Sequence, residues 1–150
     1  MRYNSLMNWA AVKSAMIWLL GALWALPITL VGALAGLSLM LFGARASISD
    51  SALVFSGFRL FGNGAVTLGQ VILNARKDLD GQVLTYHCAA HGGNDCVRIG
   101  CHERAHVYQY MAFGIFFLPL YFLHGGISHK NRFEQAADRY AQTGKGWWPY

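Results

Sequence analysis

The segment CHERAHVYQY, residues 101–110, holds two histidines four positions apart, with a glutamate directly after the first. On a helix, residues four apart lie on the same face, so the imidazoles of His102 and His106 can reach one metal ion. Glu103 lies about 100° further around the helix, where it can take a proton from water without binding the metal. The pattern therefore predicts a zinc site with Glu103 as the general base.

A later segment contains the carboxylates that such a site needs. Catalytic zinc takes three protein ligands, and each ligand histidine needs an acceptor for its other ring nitrogen. EQAAD places Glu134 four residues before Asp138. We expect Glu134 to be the third ligand and Asp138 to accept from a ligand histidine. Gln109, one turn beyond His106, could contact substrate or a ligand.

HExxH followed by ExxxD resembles the gluzincin group of zinc metallopeptidases. The segments HERAHVYQY, FLPLYF and NRFEQAADRYA, with AVTLGQVIL upstream, are similar more narrowly to small bacterial membrane proteins that carry HExxHxxQY and N-x-F-E motifs. The similarity extends from Pro27 to Ala141, except for residues 81–101. It implies a minimal zincin-like helical core, a location in the bacterial inner membrane and these site residues: zinc ligands His102, His106 and Glu134, base Glu103, and Asp138 beside the ligands.

A membrane segment precedes these motifs. Residues 15–42 contain no ionisable side chain, in a chain that is 55% hydrophobic and 13% charged. As one helix at about 1.5 Å per residue, this run exceeds the roughly 30 Å of hydrocarbon, so it must tilt, kink or fold back. One long helix with a kink at Pro27 and two half-helices both remain open. A retained anchor over residues 1–46 is favoured over a cleaved signal peptide, whose apolar region is usually about half as long.

Residues 47–150 are predicted to form the zincin-like domain, which makes the whole chain a mainly α membrane protein with one small β-hairpin. Residues 52–74 have β-branched and aromatic side chains on both sides of GNG, a sequence typical of a tight turn. This segment, ALVFSGFRLFGNGAVTLGQVILN, therefore predicts the hairpin. The hairpin could pack on the catalytic helix or offer its edge to an extended peptide.

The active-site helix is predicted over residues 101–123, and a helix with the third ligand over residues 131–141, capped by Asn131. The apolar run after HExxH is short for a membrane crossing and contains Pro119, which favours a buried or interfacial helix. A full crossing would put Glu134 on the other side of the membrane from the histidines. The three-ligand site therefore requires the chain to fold back.

Further polar residues have more than one interpretation. Cys88, His91, Cys96 and Cys101 could form a second metal site or a disulfide, or remain reduced in a flexible loop. No histidine or tyrosine occupies a diagnostic position for stabilising an oxyanion; the candidates are Tyr108, Tyr110, His124 and His129. The aromatic C-terminus, GKGWWPY, could anchor at the membrane interface or cover a groove of the protein.

Composition and motifs together leave two hypotheses about function. The net charge of +5 is scattered along the chain, which favours attraction to lipid headgroups and gives no pattern for nucleic-acid binding. The first hypothesis is a membrane-associated Zn²⁺-dependent metallopeptidase with a protein or peptide substrate near the lipid bilayer. The second is a non-catalytic membrane protein that acts as a structural or interaction module, with or without zinc.

Overall fold

The computed structural model describes residues 9–58 and 62–150 of the chain. Within these ranges the fold is mainly helical with two small sheets, which agrees with the predicted mainly α class. Residues 1–8 of the predicted anchor and residues 59–61 of the predicted hairpin lie outside the described residues. The order of elements along the chain is one long helix, four strands, a short two-stranded unit that encloses a helix, and a C-terminal group of helices.

The first helix, α1, is continuous from Trp9 to Met40 and includes Pro27. The apolar run is therefore one long helix and not two half-helices. Gly32 and Gly36 are buried where the sheet packs against α1. A Cβ atom on Gly36 would lie 2.1 Å from the ring of Phe55, and one on Gly32 would lie 2.8 Å from the carbonyl oxygen of Leu68. Glycine at these two positions lets the sheet approach the helix backbone.

The other face of α1 is apolar and exposed. The exposed fraction lies between 55% and 67% for the side chains of Leu19, Leu23, Leu30 and Leu34. Among the described residues, two stretches are long and apolar enough to cross a membrane by length and composition: Trp9–Met40 and Ile99–Leu123. Of the two, α1 is the more exposed: 11% of its most apolar 18 residues are buried, against 33% for Ile99–Leu123.

Residues 52–74, predicted to form one hairpin, supply three of the four strands of the larger sheet. Its strands are β1 (Arg45–Ser49), β2 (Ala52–Ser56), β3 (Ala65–Leu68) and β4 (Val71–Asn74), in the spatial order β1-β2-β4-β3. β2 pairs in parallel with β4, while the β1–β2 and β3–β4 pairs are antiparallel. The strands on either side of GNG are therefore not paired with each other.

Two other turns form the hairpins. Asp50 and Ser51 connect β1 to β2 with positive φ angles of 52° and 64°, and Gly69, at 64°, begins the turn from β3 to β4. Thr29 of α1 holds the second turn, because its hydroxyl accepts a hydrogen bond from the backbone N–H of Gln70 at 3.0 Å. Residues 52–74 therefore contain a hairpin, β3–β4, but its turn is at Gly69 and not at GNG.

Residues 81–101, which fit no motif in the sequence, are structured. β5 (Gln82–Leu84) pairs antiparallel with β6 (Cys96–Arg98), and α2 (Tyr86–His91) lies between them in the chain. Thr85 caps α2 by accepting a hydrogen bond from the backbone N–H of Cys88. This unit leads directly into the helix that carries HExxH.

The predicted helix over residues 101–123 is divided in two. α3 spans Ile99–Phe113, a single 3-10 turn follows, and α4 spans Phe117–Leu123. The break occurs at Gly114, whose φ is +55°, and the indole of Trp24 occupies the space that a Cβ atom would need. Packing against α1 therefore ends α3 and redirects the apolar run.

The last helix, α5, spans Arg132–Thr143 and packs along α3. Asn131 caps it by accepting from the backbone N–H of Phe133, and its amide group donates to the carbonyl oxygens of Tyr121 and Gly126. One buried polar side chain thus fixes both the start of α5 and the loop before it. The chain folds back as the three-ligand hypothesis requires.

Candidate metal centre

The two histidines of HExxH and the glutamate of α5 meet in the interior. Nε2 of His102 lies 3.0 Å from Oε2 of Glu134 and 3.2 Å from Nε2 of His106, and His106 Nε2 lies 3.3 Å from the same carboxylate oxygen. All three side chains are buried. Within residues 9–58 and 62–150, this is the group of ligand side chains whose geometry could hold a metal ion.

The outer nitrogen of each imidazole has a buried acceptor. His102 Nδ1 lies 3.0 Å from Oδ1 of Asp138, and His106 Nδ1 lies 2.8 Å from Oε1 of Gln109. A carboxylate can only accept, and the amide nitrogen of Gln109 is committed to donating elsewhere, so both Nδ1 atoms carry the proton. In rings that carry no further proton, the Nε2 lone pairs would then point toward the carboxylate of Glu134.

This arrangement calls for positive charge at its centre. Without a cation or extra protons, two ring lone pairs and a carboxylate would face one another with no donor between them. Burial lowers the pKa of His102, but hydrogen bonds with Asp138 and Glu134 raise it to about 10. Burial raises the pKa of Glu134, whereas the charge of His106 lowers it to a net value well below the ordinary one. The same field would hold a metal cation.

The second oxygen of Glu134 is held by a tyrosine that sequence reasoning missed. The hydroxyl of Tyr121, in α4, donates a hydrogen bond to Oε1 of Glu134, which leaves Oε2 for the centre. Burial and the charge of Glu134 raise the pKa of Tyr121, so this hydroxyl remains protonated and continues to donate. Tyr121 has the only hydroxyl in the run from Met111 to Leu123, a signal that could have identified it.

Glu103 is buried beside the three ligand atoms but is not one of them. Its Oε2 accepts a hydrogen bond of 2.6 Å from the hydroxyl of Thr67 in β3. This places the carboxylate between the helix and the edge of the sheet, and its other oxygen makes no hydrogen bond with the residues that the structure describes. Nothing in the sequence around Thr67 pointed to this contact, because the two residues are 36 positions apart.

Two more tyrosines lie at the centre. Tyr86, which the sequence analysis did not select, stacks on His102 with ring centroids 5.8 Å apart, and its backbone N–H donates to Oδ2 of Asp138 at 2.7 Å. Tyr110 lies one turn beyond His106. Its hydroxyl is fully buried and has no hydrogen-bond partner among the described residues. A buried hydroxyl without a partner is unusual and indicates a site for a ligand or water.

The start of α3 is tied to the sheet by charged groups. Asp50, in the β1–β2 turn, is buried and receives hydrogen bonds from Arg98 at 2.7 Å and from Arg104 at 2.5 Å. Arg104 belongs to HExxH itself. The turn therefore positions the metal-ligand helix relative to the strand that holds Glu103.

Gln109 contacts a ligand histidine and not the space available to a substrate. Its amide nitrogen donates to the carbonyl oxygens of Phe133 in α5, at 3.2 Å, and Trp147 in the C-terminal segment, at 2.9 Å. The C-terminal aromatic residues pack on the protein: Trp148 stacks on Phe113 with centroids 4.9 Å apart. Of the two interpretations of this segment, covering a groove matches the contacts.

The other candidates lie away from the centre. Cys88, Cys96 and Cys101 are free thiols, and the structure does not bring them together with His91 as a ligand group. Neither Cys101 nor His91 approaches the three ligand atoms. The remaining oxyanion candidates are occupied with other contacts, since Tyr108 packs on Tyr140 and Trp147, His124 on Phe133 and Tyr150, and His129 on His91.

A chamber of about 160 Å³ adjoins the ligand atoms. We call it the apolar chamber; besides the metal-site residues, it is lined by Val66, Phe117, Leu118, Phe122 and Ile127. Glu103, Tyr86 and Tyr110 also line it. Comparison with protein-family models, curated proteins and solved structures finds no match for this chain, so its relation to gluzincins stays a prediction.

Proposed function

We propose that this protein is a membrane-associated zinc-dependent metallopeptidase. The observation that carries the proposal is the convergence of His102 Nε2, His106 Nε2 and Glu134 Oε2, which lie 3.0–3.3 Å apart with both imidazoles oriented by outer acceptors. Two ligands on a tetrahedral zinc, each at about 2.0–2.1 Å, lie about 3.3 Å apart. The triangle is nearly this size, and two nitrogens with one carboxylate are a donor set suited to zinc.

Glu103 has the position of a general base. A zinc ion held by the three ligands would supply Lewis acidity, lowering the pKa of water and polarising a peptide carbonyl. Glu103 takes one proton from the attacking water as the water oxygen bonds to the carbonyl carbon. When the carbon–nitrogen bond breaks, Glu103 returns that proton to the leaving amine. Thr67 holds one oxygen of Glu103 and so keeps the other directed to this task.

Tyr110 is the candidate for stabilising the oxyanion. Its hydroxyl lacks a partner among the described residues, lines the same chamber as the ligand atoms and lies on the helix face that carries His102 and His106. Burial, followed by the charge of Glu103, raises the pKa of Tyr110, so the group remains a donor. A donor prepared for developing negative charge on the carbonyl oxygen contributes strongly to catalysis in a buried site.

An extended peptide fits beside β3. The hydrogen bond from Ala75 N–H to Gly64 O shows which alternate residues of the outer strand bond to β4. The backbone N–H and C=O groups of Ala65 and Thr67 therefore point away from β4, toward the open edge of the sheet. Both residues line the apolar chamber. A peptide that pairs with this edge would have its backbone next to Glu103.

The membrane part of the proposal rests on α1. Its exposed apolar face is far larger than soluble monomers usually present. Because open sheet edges are not tolerated in hydrocarbon and the sheet packs on α1 at Gly32 and Gly36, we propose that α1 contacts lipid on one side only. Reconstituted protein is expected to float with lipid vesicles in a density gradient, and protein that stays at the bottom would contradict this.

The alternative, a non-catalytic structural or interaction module with or without zinc, is less well supported. A structural site would fill the fourth ligand position with a side chain, for which Cys101 and His91 were the candidates. Neither residue belongs to the ligand group, and the chamber beside the ligand atoms is lined by Glu103 and by Tyr110, whose hydroxyl has no partner among the described residues. These features favour hydrolysis.

Zinc content and hydrolysis test the proposal together. Elemental mass spectrometry of detergent-purified protein is expected to give about one zinc per chain. Glu134→Ala and His106→Ala are expected to lose it, whereas His87→Ala, an exposed histidine outside the site, should keep it. Zinc retained without Glu134 and His106 would refute the site.

Glu103→Gln separates metal binding from catalysis. This variant is expected to keep its zinc and to lose peptide hydrolysis by about 10²–10⁴-fold, because only the general base is removed. Full zinc with no hydrolysis of a peptide library by the wild type would favour the non-catalytic module.

A further inference from the structure

A second chamber, of about 240 Å³, lies beside the candidate metal centre. We call it the polar chamber. It shares the lining residues Ala65, Tyr86, His102 and Glu103 with the apolar chamber, so the two chambers adjoin at Glu103, and we call them together the groove. It is also lined by Asn63, Gly64, Arg76, Val83 and Leu84. Val83 and Leu84 belong to β5, whereas Asn63 and Gly64 lie just before β3 and Arg76 lies just after β4.

The walls of the polar chamber are two strand edges. On one side, β3 directs the backbone groups of Ala65 outward, as described above. On the other side, hydrogen bonds run from Ile99 N–H to Gly81 O and from Thr85 N–H to Asp95 O. They show that residues 81 and 85 face β6, so the residues that alternate with them face away. Residues 82 and 84 of β5 therefore direct their backbone groups away from β6. A peptide between the walls could pair with both strands.

Arg76 connects these two walls. Its Nε donates to the carbonyl oxygen of Asn63, just before β3, at 2.7 Å, and its Nη1 lies 3.5 Å from the carbonyl oxygen of Gln82 in β5. These contacts orient the guanidinium at the chamber wall and leave several of its N–H groups without a partner. The side chain is half-buried.

Arg76 also lacks a carboxylate partner. Arg98 and Arg104 both pair with Asp50, but Arg76 makes no salt bridge with any acidic residue in the part of the chain that the structure describes. The nearby carboxylates already have partners, since Asp138 accepts from His102 and Glu103 accepts from Thr67. An oriented arginine without an acid suits the planar, two-oxygen shape of a carboxylate.

We propose that the groove binds an extended peptide with a carboxylate at Arg76 and an apolar side chain in the apolar chamber. The inference rests on the proposed function and names its substrate class. The peptide backbone pairs with the open edges of β3 and β5, and the bond to be cleaved lies between the two chambers, next to Glu103. The carboxylate is either an Asp or Glu side chain or the C-terminus of the peptide.

Binding to a cleavage-deficient protein tests this directly. The zinc-loaded Glu103→Gln protein is mixed with fluorescein-labelled hexapeptides that contain one Leu and either Glu or Gln at each other position, with a free or amidated C-terminus. Fluorescence anisotropy is expected to give about tenfold tighter binding for the peptides with a correctly placed carboxylate, as for a charge-assisted contact. The free-acid and amide series distinguish the terminal carboxylate from a side chain.

Substitutions at Arg76 identify the cause of the preference. Arg76→Gln is expected to remove the preference for acidic peptides. Arg76→Lys is expected to keep part of this preference, since lysine retains the positive charge but not the paired N–H donors of the planar guanidinium. Lys77→Gln is the matched control, because it removes the same charge one residue away, on an exposed side chain outside the chamber. Circular dichroism of each variant shows whether it is folded.

The outcomes are separate for the two proposals. Equal affinity for acidic and neutral peptides, or a preference that survives Arg76→Gln in a folded protein, would overturn the carboxylate site and leave the peptidase proposal intact. If wild-type protein hydrolyses peptides but the Glu103→Gln protein binds none of the hexapeptides, the substrate class is wrong. No binding together with no hydrolysis by zinc-loaded wild type would overturn both.

Discussion

Gln109→Met gives the sharpest test of how the metal site is supported. Methionine has nearly the same size, but the substitution removes the hydrogen bond with His106 at 2.8 Å and the bonds to Phe133 O at 3.2 Å and Trp147 O at 2.9 Å. At about 1 kcal/mol for each bond, with buried carbonyls left without donors, the free energy of unfolding should fall by about 2–4 kcal/mol. Zinc affinity should fall by about 10–100-fold, because His106 loses its orientation.

Two assays on the same samples separate these effects. Competition with a zinc-binding dye measures affinity, and denaturant unfolding in detergent measures stability. Gln135→Met is the matched control, since Gln135 is exposed and its amide donates only to the carbonyl of His129. A loss of stability with unchanged zinc affinity would refute the reasoning and reduce Gln109 to a packing residue.

Three further predictions concern stability. Burial raises the pKa of Asp50, but hydrogen bonds from Arg98 and Arg104 lower it more, to about 2. Because this pKa is below the value in the unfolded chain, Asp50 stabilises the fold fully above about pH 4, and this stabilisation is lost as the pH falls toward 2. Asp50→Asn should therefore flatten this part of a curve of unfolding free energy against pH. Gly36→Ala would place a methyl group 2.1 Å from the ring of Phe55 and should cost about 1–3 kcal/mol in denaturant unfolding. Removing zinc with a chelator should lower the free energy of unfolding by about 4 kcal/mol if zinc was present at about 1,000 times its Kd. Denaturant unfolding with and without metal measures this difference. An unchanged midpoint would mean that zinc binds the folded chain no more tightly than the unfolded chain.

The parts of the site that follow from the sequence are those with a local cause. His102 and His106 come together because one helix fixes their spacing, and Glu134 and Asp138 could be selected because zinc chemistry requires a third ligand and an acceptor. The contact between Thr67 and Glu103 joins residues on different elements, so no spacing rule predicts it.

For the fold, too, the features that the sequence predicts are those with a local cause. The length of α1 and the cap of α5 at Asn131 follow from local composition. The sheet does not, because β4 lies between β2 and β3 and its turn at Gly69 is set by a contact with Thr29 of α1. A glycine-rich segment such as GNG predicts that the chain turns, but pairing of the flanking strands depends on what else packs there.

The packing of α1 has a consequence for how the activity could be controlled. Ala25 shares a buried cluster with Tyr110 and Phe133, and Leu39 packs against the cluster that contains Phe55. Proteolytic removal of this helix would therefore uncover both clusters and destabilise the rest of the fold, whereas loss of a flexible stalk would leave it intact. In a peptidase that contacts lipid through α1, as proposed above, this packing would fix the distance from the groove to the lipid, and cleavage sites would be selected by their height above the membrane.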